Sequence, residues 1–81
     1  MKLYGYKDNL MGFGLTFIGN NDEVAIRKFY DDAEAIPMIK MHKENFELYA
    51  LGEIDENSGI IKPEVKYIAR ATQAVNNNNE N

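Results

Sequence analysis

Residues 19–37 read GNNDEVAIRKFYDDAEAIP. Gly19-Asn20-Asn21-Asp22 is a helix start. Asn20 with Glu23 three residues on is a relative of the capping box, and Asp22 and Glu23 favour the positive end of a helix dipole. From there Val24, Ala25, Ile26, Phe29, Tyr30, Ala33 and Ile36 recur at helical spacing and form one broad apolar face. Arg27, Lys28, Asp31, Asp32 and Glu34 fall largely outside it. Pro37 stops the helix, because it lacks a donor and restricts the residue before it. The expectation is one main helix over about residues 21–36, packed on a sheet.

The flanks supply that sheet. Residues 2–8 alternate, with Tyr4 and Tyr6 on one face and Leu3 and Gly5 on the other. Asp8-Asn9 through Gly12 is turn chemistry. Phe13, Leu15 and Phe17 then alternate with Gly14 and Thr16, a period of two that assigns three large apolar groups to one face. These two runs are expected to form a hairpin. Residues 38–45 read as an irregular connection. Phe46, Leu48 and Ala50 alternate with Glu47, Tyr49 and Leu51 in a strand that runs to Asp55. Glu56-Asn57-Ser58-Gly59 is a hairpin loop whose Gly59 accepts positive φ. Ile60-Ile61-Lys62 returns as the partner strand, and Pro63 limits its central pairing.

Residues 64–75 fit a short helix, through the spacing of Val65, Ile68, Ala69 and Thr72 with Pro63 in the first turn, or a final strand from Tyr67 to Val75. The helix is the expectation. Residues 76–81 are Asn-rich and read as a disordered tail. The whole is one α+β domain over residues 1–75, a small antiparallel sheet in ββαββ order.

Eighty-one residues bury only roughly 60–65% of their unfolded surface, so a homodimer is expected as a source of further buried area. A hydrophobic share of 44% is that of a globular chain, and the absence of cysteine excludes a disulfide scaffold and fits a reducing compartment. No apolar run approaches the roughly 20 residues that span a bilayer, and the N-terminus reads as a strand rather than a signal peptide. The cytoplasm is the expected location, with no membrane partner.

The net charge of −4 is unevenly spread. Glu44, Glu47, Glu53, Asp55 and Glu56 occupy residues 44–56 with no base among them. Lys62, Lys66 and Arg70 face only Glu64 over residues 60–75, and Lys40, His42 and Lys43 precede the acidic run. An acidic chain is a poor bulk polyanion binder, but a local basic stripe is compatible with it.

Enzymatic chemistry finds no constellation here. Nucleophilic catalysis needs an activated Ser, Cys, Thr or Lys beside a base. The sequence holds no cysteine, a single histidine, and Ser58 inside a hairpin loop. One histidine without cysteine cannot build the usual zinc site, and His42 reads as a solvated loop residue. Asp31, Asp32 and Glu34 point apart on a helix, which argues against a magnesium cluster. Asp55-Glu56-Asn57-Ser58-Gly59 lacks the later acidic ligands of a calcium loop. Gly12-Phe13-Gly14 has neither the lysine nor the strand-then-helix context of a phosphate loop. The chain is expected to be no enzyme, with no metal and no cofactor.

Binding is the better-supported class. Five tyrosines and four phenylalanines stand in 81 residues. Phe29, Phe13, Phe17 and Phe46 are assigned to the core, and Tyr4, Tyr6, Tyr49 and Tyr67 to exposed positions. Single-strand binders join stacking aromatics to a cationic groove. Lys2, Lys7, Lys40, Lys43, Lys62, Lys66 and Arg70 are the cations available to one.

The stretch from Phe46 to Gly59, FELYALGEIDENSG, resembles the small nonstructural protein of gokushovirus-type microviruses, the single-stranded-DNA phages that include the chlamydial phages. Those proteins are of similar size. They open with a Met-Lys-aliphatic-Tyr strand, here Met1-Lys2-Leu3-Tyr4, and carry an Ala-hydrophobic-Arg helix, here Ala25-Ile26-Arg27-Lys28-Phe29. A His-containing connection follows, here His42-Lys43-Glu44-Asn45-Phe46, and then a Leu-Gly-Glu strand into an Asp-x-x-Ser-Gly hairpin. The resemblance covers about residues 1 to 75. It departs from the family pattern at Lys43, where a proline often follows the histidine, and at Ile54, where phenylalanine is frequent.

The resemblance implies a DNA-binding protein that acts when replication shifts to genomic single strands and that is absent from the capsid shell. With it, the residues chosen for single-stranded DNA are Lys40, Lys43, Lys62, Lys66 and Arg70 on phosphates, and Tyr49 and Tyr67 as stacking groups. The alternative is a protein-interaction adaptor for phage or host replication and assembly proteins, with the acidic run 44–56 as its surface.

Overall fold

Two tyrosines assigned to the surface on sequence grounds turn out to be the centre of the core. The computed structural model describes residues 1–73. In order, they form strands β1 (Lys2–Asp8) and β2 (Gly12–Gly19), helices α1 (Asp22–Ala35) and α2 (Pro37–Met41), a 3-10 turn (Lys43–Asn45), strands β3 (Phe46–Ile54) and β4 (Ile61–Arg70), and a final 3-10 turn (Ala71–Gln73). The four strands make one antiparallel sheet in the order β2-β1-β3-β4. The ββαββ order is as expected. The expected tail at 76–81 lies outside the described residues.

Helix α1 begins one residue later than the capping-box reading had it. Asn21, not Asn20, takes the extended cap conformation, and its Oδ1 accepts the Val24 amide at 2.9 Å. Ala25, Phe29 and Ala33, four apart, are its fully buried positions, with Ile26 and Tyr30 packed beside them. At the other end Pro37 both stops α1 and opens α2, since its missing N–H is not needed in a first helical turn. Residues 38–45 are therefore mostly helical rather than irregular.

Tyr4 and Tyr6 point from β1 at α1 and are 0% and 2% exposed. A tyrosine reaches far enough to fill the core with its ring and still pass its hydroxyl to the rim. Tyr4 donates to Asp22 and Tyr6 to Asp32, each at 2.7 Å, and Lys2 and Lys28 hold the same two carboxylates at 3.2 and 2.8 Å. The helix is thus fastened to the central strand near both ends.

These pairs set a pH window. Burial, and then the acceptor carboxylates, push both phenols well above the ordinary tyrosine range. The Tyr4 hydrogen bond holds Asp22 low; for Asp32 burial opposes, but the Lys28 and Tyr6 hydrogen bonds outweigh it. A lowered carboxylate contributes stability above its unfolded value and loses it as pH falls through the folded one. A raised phenol contributes below its unfolded value and loses it as pH rises towards the folded one. Stability should be flat between about pH 5 and 9 and decline below about 4 and above about 10. Urea midpoints measured across pH check this, and Tyr6→Phe should flatten the alkaline limb; an unchanged limb would remove the assignment.

Residues 61–70 form a strand, which corrects the short helix expected over 64–75. The free edge of β3 pairs with Lys66, Tyr67, Ala69 and Arg70, with an irregularity at Ile68, and the branched and aromatic side chains of Val65, Tyr67 and Ile68 suit a pleated surface. Pro63 is accommodated because β4 is an outer strand. It lies opposite Gly52, where a Cβ would run into the Lys62 carbonyl oxygen, so only glycine lets the two strands close. The β3–β4 connection is as expected: Asp55 Oδ1 accepts the Asn57 and Ser58 amides at 2.8 and 3.3 Å, and Gly59 has φ +78°.

Candidate functional site

The helices cover one face of the sheet. The other face carries the residues that alternate away from Tyr4 and Tyr6: Leu3, Gly5 and Lys7 of β1, with Thr16 and Ile18 opposite them on β2 and Tyr49 on β3. Tyr67 pairs with Tyr49 and extends the face onto β4.

Phe13 also lies on this face, which corrects its assignment to the core. A bulge at Gly14 and Leu15 sets two residues of β2 against Tyr6 alone. The extra residue reverses the alternation, so Leu15 and Phe17 stay on the helix side while Phe13 crosses over. Its ring settles over Gly5, 3.4 Å from where a Cβ would be, and meets Tyr49 edge-on at 5.3 Å. Phe13 and Tyr49 stand two strands apart, a distance of about 9.6 Å that only a glycine on the strand between lets two rings bridge. Tyr49 in turn meets Tyr67 edge-on at 5.7 Å. The result is an aromatic row across the whole sheet, with Phe13 and Tyr67 both 46% exposed at its ends.

Polar groups border the row along one side. The Lys7 ammonium lies 5.8 Å from the Phe13 ring centre and 5.7 Å from that of Tyr49. Glu47, the one buried charged residue among those described, accepts from Arg70 Nη2 at 2.9 Å and from the Tyr49 hydroxyl at 3.3 Å. Burial and the Glu47 carboxylate push the Tyr49 phenol up, so it stays a neutral hydrogen-bond donor at physiological pH. Half of the Arg70 side chain remains open to solvent.

Of the seven residues chosen from sequence, Tyr49, Tyr67 and Arg70 share this face. The other four do not. Lys66 pairs with Ala50 and so alternates to the helix side, where it acts on Asp22. Lys62 lies opposite Glu53 near the far end of the sheet. Lys43 binds Glu34, and Lys40 sits on α2 within influence of the same carboxylate. The basic stripe does not converge. Sequence reasoning passed over Phe13, Glu47 and Lys7 as site residues. Lys7 stood among the available cations, but its face became legible only with Tyr4 and Tyr6 placed in the core, since alternating residues face opposite ways.

A second hollow of about 330 Å³ opens on the helix side, between the β1–β2 turn and α2. It is lined chiefly by Tyr6, Met11, Leu15, Met38, Ile39 and Phe46, with Asp8 as the one charged residue on its wall.

The family of phage proteins described as Phage ORF5 protein matches residues 1–74 of the chain. The chain belongs to that family. The match takes in every element described above, so the aromatic row and the tyrosine-anchored helix are features of a phage ORF5 protein. No curated protein and no solved structure matches the chain. No helix among the described residues is long and apolar enough to cross a membrane.

Proposed function

We propose that this phage ORF5 family member is a nonstructural protein, close to those of the gokushoviruses, that binds single-stranded DNA in the host cytoplasm during genome replication or packaging. It acts by binding and not by catalysis. The observation that carries the reading is the row Phe13–Tyr49–Tyr67 on an uncovered sheet face with Lys7 and Arg70 beside it. Unstacked bases have two apolar faces to cover, and a flat row of rings accepts them without regard to sequence. Lys7 and Arg70 reach phosphates, Arg70 by exchanging Glu47 for a phosphate oxygen. The helix-fastened sheet keeps the row rigid, so little ordering opposes binding.

The adaptor reading draws less support. Within the acidic run, Glu47 is engaged by Arg70, Glu53 lies 3.8 Å from the N-terminal amine, and Asp55 organises its own turn. Few of its charges are left for a partner.

Fluorescence anisotropy with a labelled single-stranded oligonucleotide tests the proposal. Two phosphate contacts predict a log–log salt slope of roughly −1.4, where five converging cations would give roughly −3.5. Absence of binding at low salt would remove the DNA reading. Equal affinity for duplex would remove the stacking mechanism, because paired bases cannot reach the row.

A further inference from the structure

The two edges of the sheet are built differently. β4 carries Lys62, Pro63, Glu64, Lys66 and Arg70, the charges and proline that keep an edge from adding another strand. β2 reads GFGLTFIG, eight residues with neither charge nor proline. Its outward backbone groups have no hydrogen-bond partner among the described residues, and Phe13, Leu15 and Ile18 are exposed along it. An edge of this composition is open to another strand.

We propose that β2 pairs antiparallel with β2 of a second copy across a two-fold axis, joining two sheets into one of eight strands. A second copy is the occupant for three reasons. The strand is neutral, so two copies meet without local repulsion although each chain carries a net charge of −4. Antiparallel pairing of one strand with itself is self-complementary and closes in a single step, while the charged β4 edges stop further growth. Apolar surface also continues beside the edge: Leu10, Met11, Leu15, Ile18 and Met38 are all among the exposed large hydrophobics. Leu15 and Ile18 lie on opposite faces of β2, so apolar side chains of the two copies would meet on both sides of the joined sheet. The bulge at Gly14 and Leu15 bends the start of β2, so pairing runs over residues 15–19, where Thr16, Phe17 and Ile18 favour a ladder. This inference stands apart from the DNA reading.

Sedimentation equilibrium of the full chain without DNA, over about two decades of concentration, tests it. Wild type should approach twice the monomer mass. The double variant Thr16→Lys, Ile18→Lys should dimerise at least about tenfold more weakly, because two lysines of each copy would meet across the axis. Glu64→Ala, on the other edge, should dimerise as wild type does. Because new charges on a strand can unfold it, amide hydrogen exchange of the wild type supplies a second measurement. Amides of residues 15–19 should exchange more slowly in concentrated than in dilute protein. A monomer at every concentration, open-ended assemblies, an unaffected double variant, or concentration-independent exchange of β2 would each overturn the proposal.

Discussion

Phe29→Ala should cost about 3–5 kcal/mol of stability, most of what a domain of this size possesses. The Phe29 side chain is fully buried, 4.9 Å from the Tyr6 ring, and forms the middle of the α1 stripe between Ala25 and Ala33. Neither alanine can move in to fill the space, so the cavity persists and the Tyr6–Asp32 hydrogen bond loses its packing support. In a domain of 60–100 residues this corresponds to a fall of roughly 15–30 °C in Tm, read by far-UV circular dichroism. Val24→Ala on the exposed side of the same helix should change stability by less than about 0.5 kcal/mol. A Phe29→Ala loss below about 1 kcal/mol would mean that α1 is not seated on the sheet through this ring.

The second large effect concerns binding. Tyr49 is the one ring of the row in contact with both others, with Lys7 over it and its hydroxyl on Glu47. Removing one stacked base costs about 1–3 kcal/mol, so Tyr49→Ala should weaken single-stranded DNA binding by about 5- to 150-fold. Tyr49→Phe keeps the ring and should bind within about threefold of wild type. Lys43→Ala, on the other side of the molecule and already paired with Glu34, should bind as wild type does. If Tyr49→Phe lost as much as Tyr49→Ala, the hydroxyl and not the ring would be the binding group. If neither variant changed affinity, the sheet face would not be the DNA site.

Much of this architecture was legible in residue order because it rests on local rules. The apolar spacing of Ala25, Phe29 and Ala33, an asparagine cap and Pro37 specify α1 within one or two residues of where it lies. Alternation specifies β3, and Asp55 to Gly59 specify the turn after it. Each of these depends on neighbours within about four positions.

The site was only partly legible, and the errors have one origin. A period of two tells which residues share a face but not which face is covered. Tyr4 and Tyr6 read equally well as solvent-facing until α1 supplies Asp22 and Asp32 as acceptors for their hydroxyls. Phe13 reads as core until the bulge at Gly14 and Leu15 reverses its parity. Residues 64–70 read as helix until the free edge of β3 gives their amides a ladder, which outweighs a modest helical spacing. Lys66 and Arg70 read as one stripe until their register sets them on opposite faces.

Residue order alone therefore determined the helix, the second hairpin turn and the ββαββ order, since short-range hydrogen bonding and steric restriction act before any packing. The aromatic row across four strands, its two nearby cations and the contrast between a charged edge and a neutral one came from tertiary structure. They depend on the strand order β2-β1-β3-β4 and on which face the helix covers, and long-range pairing fixes both.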